Sequence, residues 1–227
     1  MGVEIPIEEI AIVQKQMIRQ ANRYGKPVIT ATHMLESMIH NGRPTRAEAT
    51  DVANAILDGT DCVMLSGETA IGAFPSDAVA TMARIAEVAE EQGTVNETIE
   101  TLITAEGAHR NLSLEDRTAL SVYHIARELE PAIILTPTNT GATPRRLARF
   151  KLPTWIVAFS DNSDSCQRLA FSYGVYAVHV AQRPNDWELF VRRWCNDNQV
   201  NGQLALLTEG TSQIRSGGTT HLSILYL

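Results

Sequence analysis

Three short stretches hold the side chains that could do chemistry. Thr30-Ala31-Thr32-His33 and Ser66-Gly67-Glu68-Thr69 each close an apolar run, the first with hydroxyls and the second with hydroxyls and a carboxylate. At the end of a strand, hydroxyls can relay protons or hold phosphoryl oxygens, and Gly67 lets a backbone approach a ligand closely. The third stretch, Thr138-Asn139-Thr140-Gly141-Ala142-Thr143-Pro144, flanks a glycine with hydroxyls. With Thr143 as N-cap and Pro144 as first helical residue, it would offer unpaired amides to an anion such as phosphate. Each stretch also has an ordinary reading. A Ser or Thr at a strand end is more often the cap of the next helix, Glu68 could be a surface carboxylate, and residues 138–144 could be a capped turn. His33 stands alone, and with His40, His109, His124, His179 and His221 it forms no spaced ligand set, so no metal site is expected. Cys62, Cys166 and Cys195 have no CxxC spacing and read as reduced core thiols.

The elements that must position these residues follow from periodicity. Ile10, Val13, Met17 and Ala21 recur at helical spacing between Pro6 and Gly25. The β-branched run 27–32 predicts a buried parallel strand, and 62–65 predicts another. Thr45 and Glu48 have capping-box spacing at the head of a helix through Val52 and Ile56. Val79, Met82, Ile85 and Val88 mark a helix after Pro75. Beyond a polar stretch, helices near 115–129, 144–150, 163–170 and 186–198 alternate with strands at 132–136, 155–159, 175–180 and 204–208. A last strand at 222–227 follows without a helix and is expected to be antiparallel. Residues 1–92 therefore read as a piece of a parallel α/β fold, 93–111 as a linker, and 112–227 as a three-layer α/β domain of about five strands.

The 227 residues are 44% apolar, enough for a sizeable core, and carry a net charge of -7. That charge argues against a broad electrostatic grip on nucleic acid or an anionic membrane. No apolar run approaches the roughly 18 residues that a membrane-spanning helix needs. A cytoplasmic location is expected.

Taken in order and spacing, Gly2-Val3-Glu4-Ile5-Pro6, Lys26 to Thr32, Arg43-Pro44-Thr45-Arg46-Ala47-Glu48, Asp51 to Ala55 and Met64 to Thr69 resemble the late barrel blocks of the pyruvate kinase family. The resemblance implies a partial TIM (β/α)8 barrel, entered at the end of its sixth strand, followed by the family's C-terminal regulatory domain. It implies an enzyme that transfers phosphate from phosphoenolpyruvate to ADP in glycolysis with Mg2+ and K+, binding ATP as product. Thr32 would lie beside the transferring phosphoryl group, Ser66 in the hydroxyl network near the methylene that gains a proton, and Glu68 near the nucleotide end of the cleft. His33 stands where the family commonly has Gln.

The family's Gly-Asp pair immediately precedes the position of Met1, and its metal-binding acids and phosphoryl-stabilising Lys lie upstream. The 227 residues by themselves are therefore expected to be inactive, with no metal ligand among them. In the second domain, Thr138, Asn139, Thr140, Gly141 and Thr143 resemble the loop that binds an allosteric effector's phosphate. Gly217, Gly218 and Thr219, within Ser216 to Thr220, resemble the loop that closes over it. The implied partners are a phosphorylated metabolite and further copies of the chain, the family being tetrameric. The competing expectation is a non-catalytic effector-binding module or a truncated gene product.

Overall fold

The computed structural model describes residues 5–31, 33–92, 112–210 and 221–227. The chain divides into two compact units, Met1–Glu97 and Thr98–Leu227.

In the first unit the order is α1 (Ile10–Arg23), β1 (Ile29–Thr30), α2 (Arg46–Leu57), β2 (Cys62–Val63), α3 (Gly67–Ala70) and α4 (Pro75–Glu91). Strands β1 and β2 are parallel, with Ile29 opposite Cys62 and Thr30 opposite Val63. Both are shorter than the sequence predicts, and α3 is a helical turn that periodicity did not mark. The core joins Met34, Leu35 and Met38 to Val52, Ala55 and Ile56 of α2 and to Ala78, Met82 and Ala89 of α4. Burying such a side chain contributes about 1.5–3 kcal/mol for the larger members.

The predicted stripe on α4 is half realised: Met82 is buried and Ile85 packs against the core. Val79 and Val88 are 53% and 62% exposed, while Ala78, Met82 and Ala89 face inward. Small alanines let helices approach closely, and hydrophobicity alone does not mark them. On α1 the buried pair is Ile18 and Asn22, not Met17. Asn22 is held there because its amide donates to the Gly59 carbonyl at 2.8 Å, which satisfies a polar group that burial would otherwise penalise.

The head of α2 forms as its spacing predicts. Thr45 Oγ1 accepts the Glu48 amide at 3.3 Å and Glu48 Oε2 accepts the Thr45 amide at 2.7 Å. Glu48 also accepts the Ser37 amide and hydroxyl at 2.7 and 2.6 Å, which ties the 3-10 turn Glu36–Ile39 to α2.

The second unit runs α5 (Leu114–Leu129), β3 (Ile133–Pro137), α6 (Ala142–Ala148), β4 (Ile156–Ser160), α7 (Ser163–Leu169), β5 (Val175–His179), α8 (Trp187–Asp197), β6 (Leu204–Glu209) and β7 (His221–Tyr226). Its sheet has the order β5-β4-β3-β6-β7, parallel except for the antiparallel β6-β7 pair. Helices α5, α6 and α7 cover one face, through Val122, Tyr123, Leu147 and Leu169 against Ile134, Ile156 and Leu206. Helix α8 covers the other, through Trp187, Val191 and Cys195 against Leu135, Phe159 and Leu207. Strands β3 and β4 are buried on both faces, so they read as continuous apolar runs without alternation. Cys195 is a core thiol, whereas Cys62 and Cys166 are half-buried.

From β3 the chain steps outward through β4 and β5, then returns to lay β6 on the opposite side of β3. The strand order thus reverses beside β3. In open α/β sheets this switch point, at the carboxyl ends of the strands, is where loops diverge and leave a crevice.

Candidate functional site

In the first unit, the chemistry-bearing residues sit in the two loops that leave β1 and β2. Thr30 is buried, and its hydroxyl donates to Thr60 Oγ1 at 2.8 Å. Thr60 Oγ1 in turn lies 3.1 Å from the Val28 carbonyl and 3.0 Å from that of Cys62. The hydroxyls therefore stitch the start of the strand pair. Thr32 lies outside the described residues.

Glu68 is 3% exposed and so is no surface carboxylate. Its Oε1 accepts the Leu35 amide at 3.0 Å and its Oε2 accepts the Ser66 amide at 2.7 Å. One carboxylate thereby joins the loop after β1 to the loop after β2. Burial pushes its carboxyl up, but the amides of Glu68 itself, Ser66 and Leu35, with His33 nearby, outweigh burial and hold it below the ordinary carboxylate range. Ser66 is exposed, with φ -126 and ψ -97, and its carbonyl accepts the Ala70 amide at 3.0 Å. His33 projects into solvent, 82% exposed, and contacts Glu36.

In the second unit, residues 138–141 leave the carboxyl end of β3. Thr138 Oγ1 accepts the Gly141 amide at 3.0 Å, closing the turn. Gly141 has φ +72, and a Cβ there would lie 3.0 Å from Arg145 Nη1 and 3.1 Å from Leu169. The positive φ favours glycine, and a Cβ would press on the two side chains. The N-cap of α6 is this Gly141, not Thr143, so Thr143 and Pro144 become the second and third helical residues. The left-handed glycine turns the chain into the helix two residues earlier than the Thr-Pro pair suggests. Gly217, Gly218 and Thr219 lie outside the described residues.

Arginines that the sequence reading passed over surround this turn. Arg145 Nη2 donates to the Thr140 carbonyl at 3.0 Å, and Arg183 Nη1 to Asn139 Oδ1 at 3.1 Å. Ser165 on α7 donates to the Asn139 carbonyl at 2.7 Å, tying α7 to the turn. The adjacent Arg145-Arg146 pair was the available sequence signal. Its partners come from other elements, and spacing along the chain does not show them.

Among the described residues no group of three or more His, Cys, Asp or Glu is placed to hold a metal ion, and no helix is long and apolar enough to cross a membrane.

Both units are thus mostly parallel α/β structures with polar loops at the carboxyl ends of parallel strands, the arrangement of α/β enzymes and ligand-binding domains. Residues 1–79 match the family model described as pyruvate kinase, barrel domain, and residues 116–225 match pyruvate kinase, alpha/beta domain. The chain belongs to the pyruvate kinase family. It is 41% identical over 227 residues to a pyruvate kinase of Thermococcus litoralis, a match that covers 100% of this chain and 48% of that relative. It is 42% identical over 228 residues to a pyruvate kinase of Geobacillus stearothermophilus, covering 99% and 38%. The crystal structure of a pyruvate kinase from Cryptosporidium parvum superposes with a TM-score of 0.87 at 34% identity, covering 100% of this chain and 45% of that one. The chain therefore spans less than half the length of these relatives.

Proposed function

We propose that these residues are the portion of a phosphotransferase that, in the whole enzyme, helps move the phosphoryl group of phosphoenolpyruvate to ADP, giving pyruvate and ATP. The observation that carries this reading is the pairing of two loops at the carboxyl ends of parallel strands by Glu68, within the segment that matches the family's barrel. Thr32 and Ser66 then serve at the reacting phosphoryl group and the protonated methylene. Glu68 holds their loops in register, since both its oxygens are engaged by backbone amides. Mg2+ and K+ would neutralise phosphate charge in the whole enzyme. Among the described residues no group of three or more His, Cys, Asp or Glu is placed to hold either ion. A cytoplasmic homo-oligomer completes the reading.

The second unit, on this reading, is regulatory and takes a phosphorylated metabolite at Thr138, Asn139, Thr140, Gly141 and Thr143, with Gly217, Gly218 and Thr219 over it. Its two-sided core, closed within the unit, equally favours a binding module that works without catalysis. The readings part in a coupled lactate dehydrogenase assay of a chimera in which this chain completes a relative's N-terminal part. Turnover that depends on Thr32 supports the enzyme portion. Metabolite binding without turnover supports the module.

A further inference from the structure

Two of the chain's asparagines are followed by glycine, at Asn41-Gly42 and Asn201-Gly202. A glycine amide has no side chain to shield it, so its nitrogen can reach the side-chain carbonyl carbon of the preceding asparagine and close a succinimide ring. The structure treats the two pairs differently. Asn41 donates its side-chain amide to the Ser37 carbonyl at 2.9 Å, and its backbone amide donates to the same oxygen at 3.0 Å. Asn201 lies in the exposed loop between α8 and β6. Among the described residues its side chain has no hydrogen-bond partner, and neither has the Gly202 amide.

The fold also keeps the glycine of the second pair. Gly202 has φ +151, and a Cβ there would lie 2.4 Å from the Ala132 Cβ, inside hard-sphere contact. A larger residue, which would shield the amide, is therefore excluded at 202. Asn201 and Gly202 line a cavity of about 490 Å³ together with Arg192, Cys195 and Val200. That space lets the Asn201 side chain rotate toward the Gly202 amide and admits water.

We propose that Asn201 is a site of spontaneous deamidation in the folded protein, a covalent modification that the structure favours there over Asn41. The Gly202 nitrogen attacks Asn201 Cγ, a C–N bond forms and the Cγ–Nδ2 bond breaks. Ammonia leaves with the proton lost by the Gly202 amide. Water then adds to either carbonyl of the ring, giving aspartate or isoaspartate, and no oxidant, reductant or cofactor is needed. Both products put a carboxylate into the cavity that Arg192 lines. Arg192 already binds Glu188 at 2.9 Å and the Tyr226 carbonyl, so the modification sets a second acid in the same cavity as the guanidinium that ties α8 to the end of β7. The isoaspartate also lengthens the backbone just before Gly202, whose close approach to Ala132 leaves little room for a shift.

The test ages the full chain in mildly alkaline buffer, folded and in urea, and follows digested samples by mass spectrometry that separates aspartate from isoaspartate. In the folded chain Asn201 should convert roughly fivefold faster than Asn41, the difference that one retained hydrogen bond makes to a barrier. In urea that bond is lost, and the two rates should agree within about twofold. Both aspartate and isoaspartate should appear at residue 201. Asn201→Gln, which keeps Gly202 and its packing, should abolish the change at 201 and leave that at Asn41 as it was. It is preferred to Gly202→Ala, whose methyl would displace Ala132. The proposal falls if Asn41 converts as fast as Asn201 in the folded chain, or if Asn201 keeps its amide there. Aspartate alone at residue 201 would overturn the ring-closing route.

Discussion

The carboxylate of Glu68 and the backbone amide of Leu35 meet at 3.0 Å across two loops 33 residues apart in sequence. Leu35 is fully buried and belongs to the core of the first unit, so this bond fixes the loop after β1 to the same core that α2 and α4 close. Removing the carboxylate as Glu68→Ala leaves the buried Leu35 amide without its acceptor, at a cost of about 1–3 kcal/mol, and frees the Ser66 amide, which lies on an exposed residue and costs less because water can replace the acceptor. Glu68→Gln keeps one carbonyl oxygen and should cost less. Hydrogen exchange at Leu35 and Ser66 checks this: both amides should exchange faster in Glu68→Ala, and unchanged exchange would refute the bridging role.

Acid should loosen the link between the 36–39 turn and α2. Burial pushes the Glu48 carboxyl up, but hydrogen bonds from the Ser37 hydroxyl and amide and the Thr45 amide and hydroxyl prevail, and it is lowered to about 2. A group depressed in the folded state lends stability above its unfolded pKa, about 4.3 for Glu, and loses it as pH falls toward the folded value. The first unit should therefore weaken between roughly pH 4.3 and 2, by about 1–2 kcal/mol after allowance for solvent screening. Circular dichroism melts over that range should be flatter for Glu48→Gln, and an equal acid dependence in both proteins would contradict the assignment.

Gly141→Ala is expected to destabilise the second unit by about 1–2 kcal/mol, because φ +72 is unfavourable for alanine. The new methyl would also press on Leu169 and Arg145. Tryptophan fluorescence in urea measures the loss, and phosphate affinity should fall with it. A variant as stable as the parent would mean that the turn relaxes without cost.

Much of this was legible in the sequence where the determinants are local. Thr45 and Glu48 are three residues apart, and their box forms because both bonds close within one turn of helix. The antiparallel β7 was expected because no helical period was read in the sequence before it, and β6 and β7 pair antiparallel. The position of α6 was misread by two residues because a left-handed Gly141 starts a helix without a side-chain cap. The inward face of α4 was read correctly at Met82 and Ile85 but not at Val79 and Val88, because Ala78 and Ala89, which fill it instead, carry little hydrophobic signal yet permit close packing. The sequence left a surface carboxylate open as the ordinary reading of Glu68 beside its expected place in the site; the structural link to Leu35, distant in sequence, could not be read from spacing. The arginines at the turn were invisible for the same reason: Arg145 and Arg183 reach it from different elements, which no local spacing encodes.

The most direct measurement is phosphoenolpyruvate-dependent ATP formation by a chimera in which this chain replaces the matching part of the Thermococcus litoralis relative, to which it is 41% identical. Turnover within about tenfold of that relative's is expected, a deficit of about 1.4 kcal/mol in the barrier. Thr32→Ala should lower it by a further hundredfold or more, and Glu68→Ala should lower it through loss of the folded loop pair. A folded chimera with no turnover, or one whose turnover is indifferent to Thr32, would contradict the assignment of these residues to a phosphotransferase.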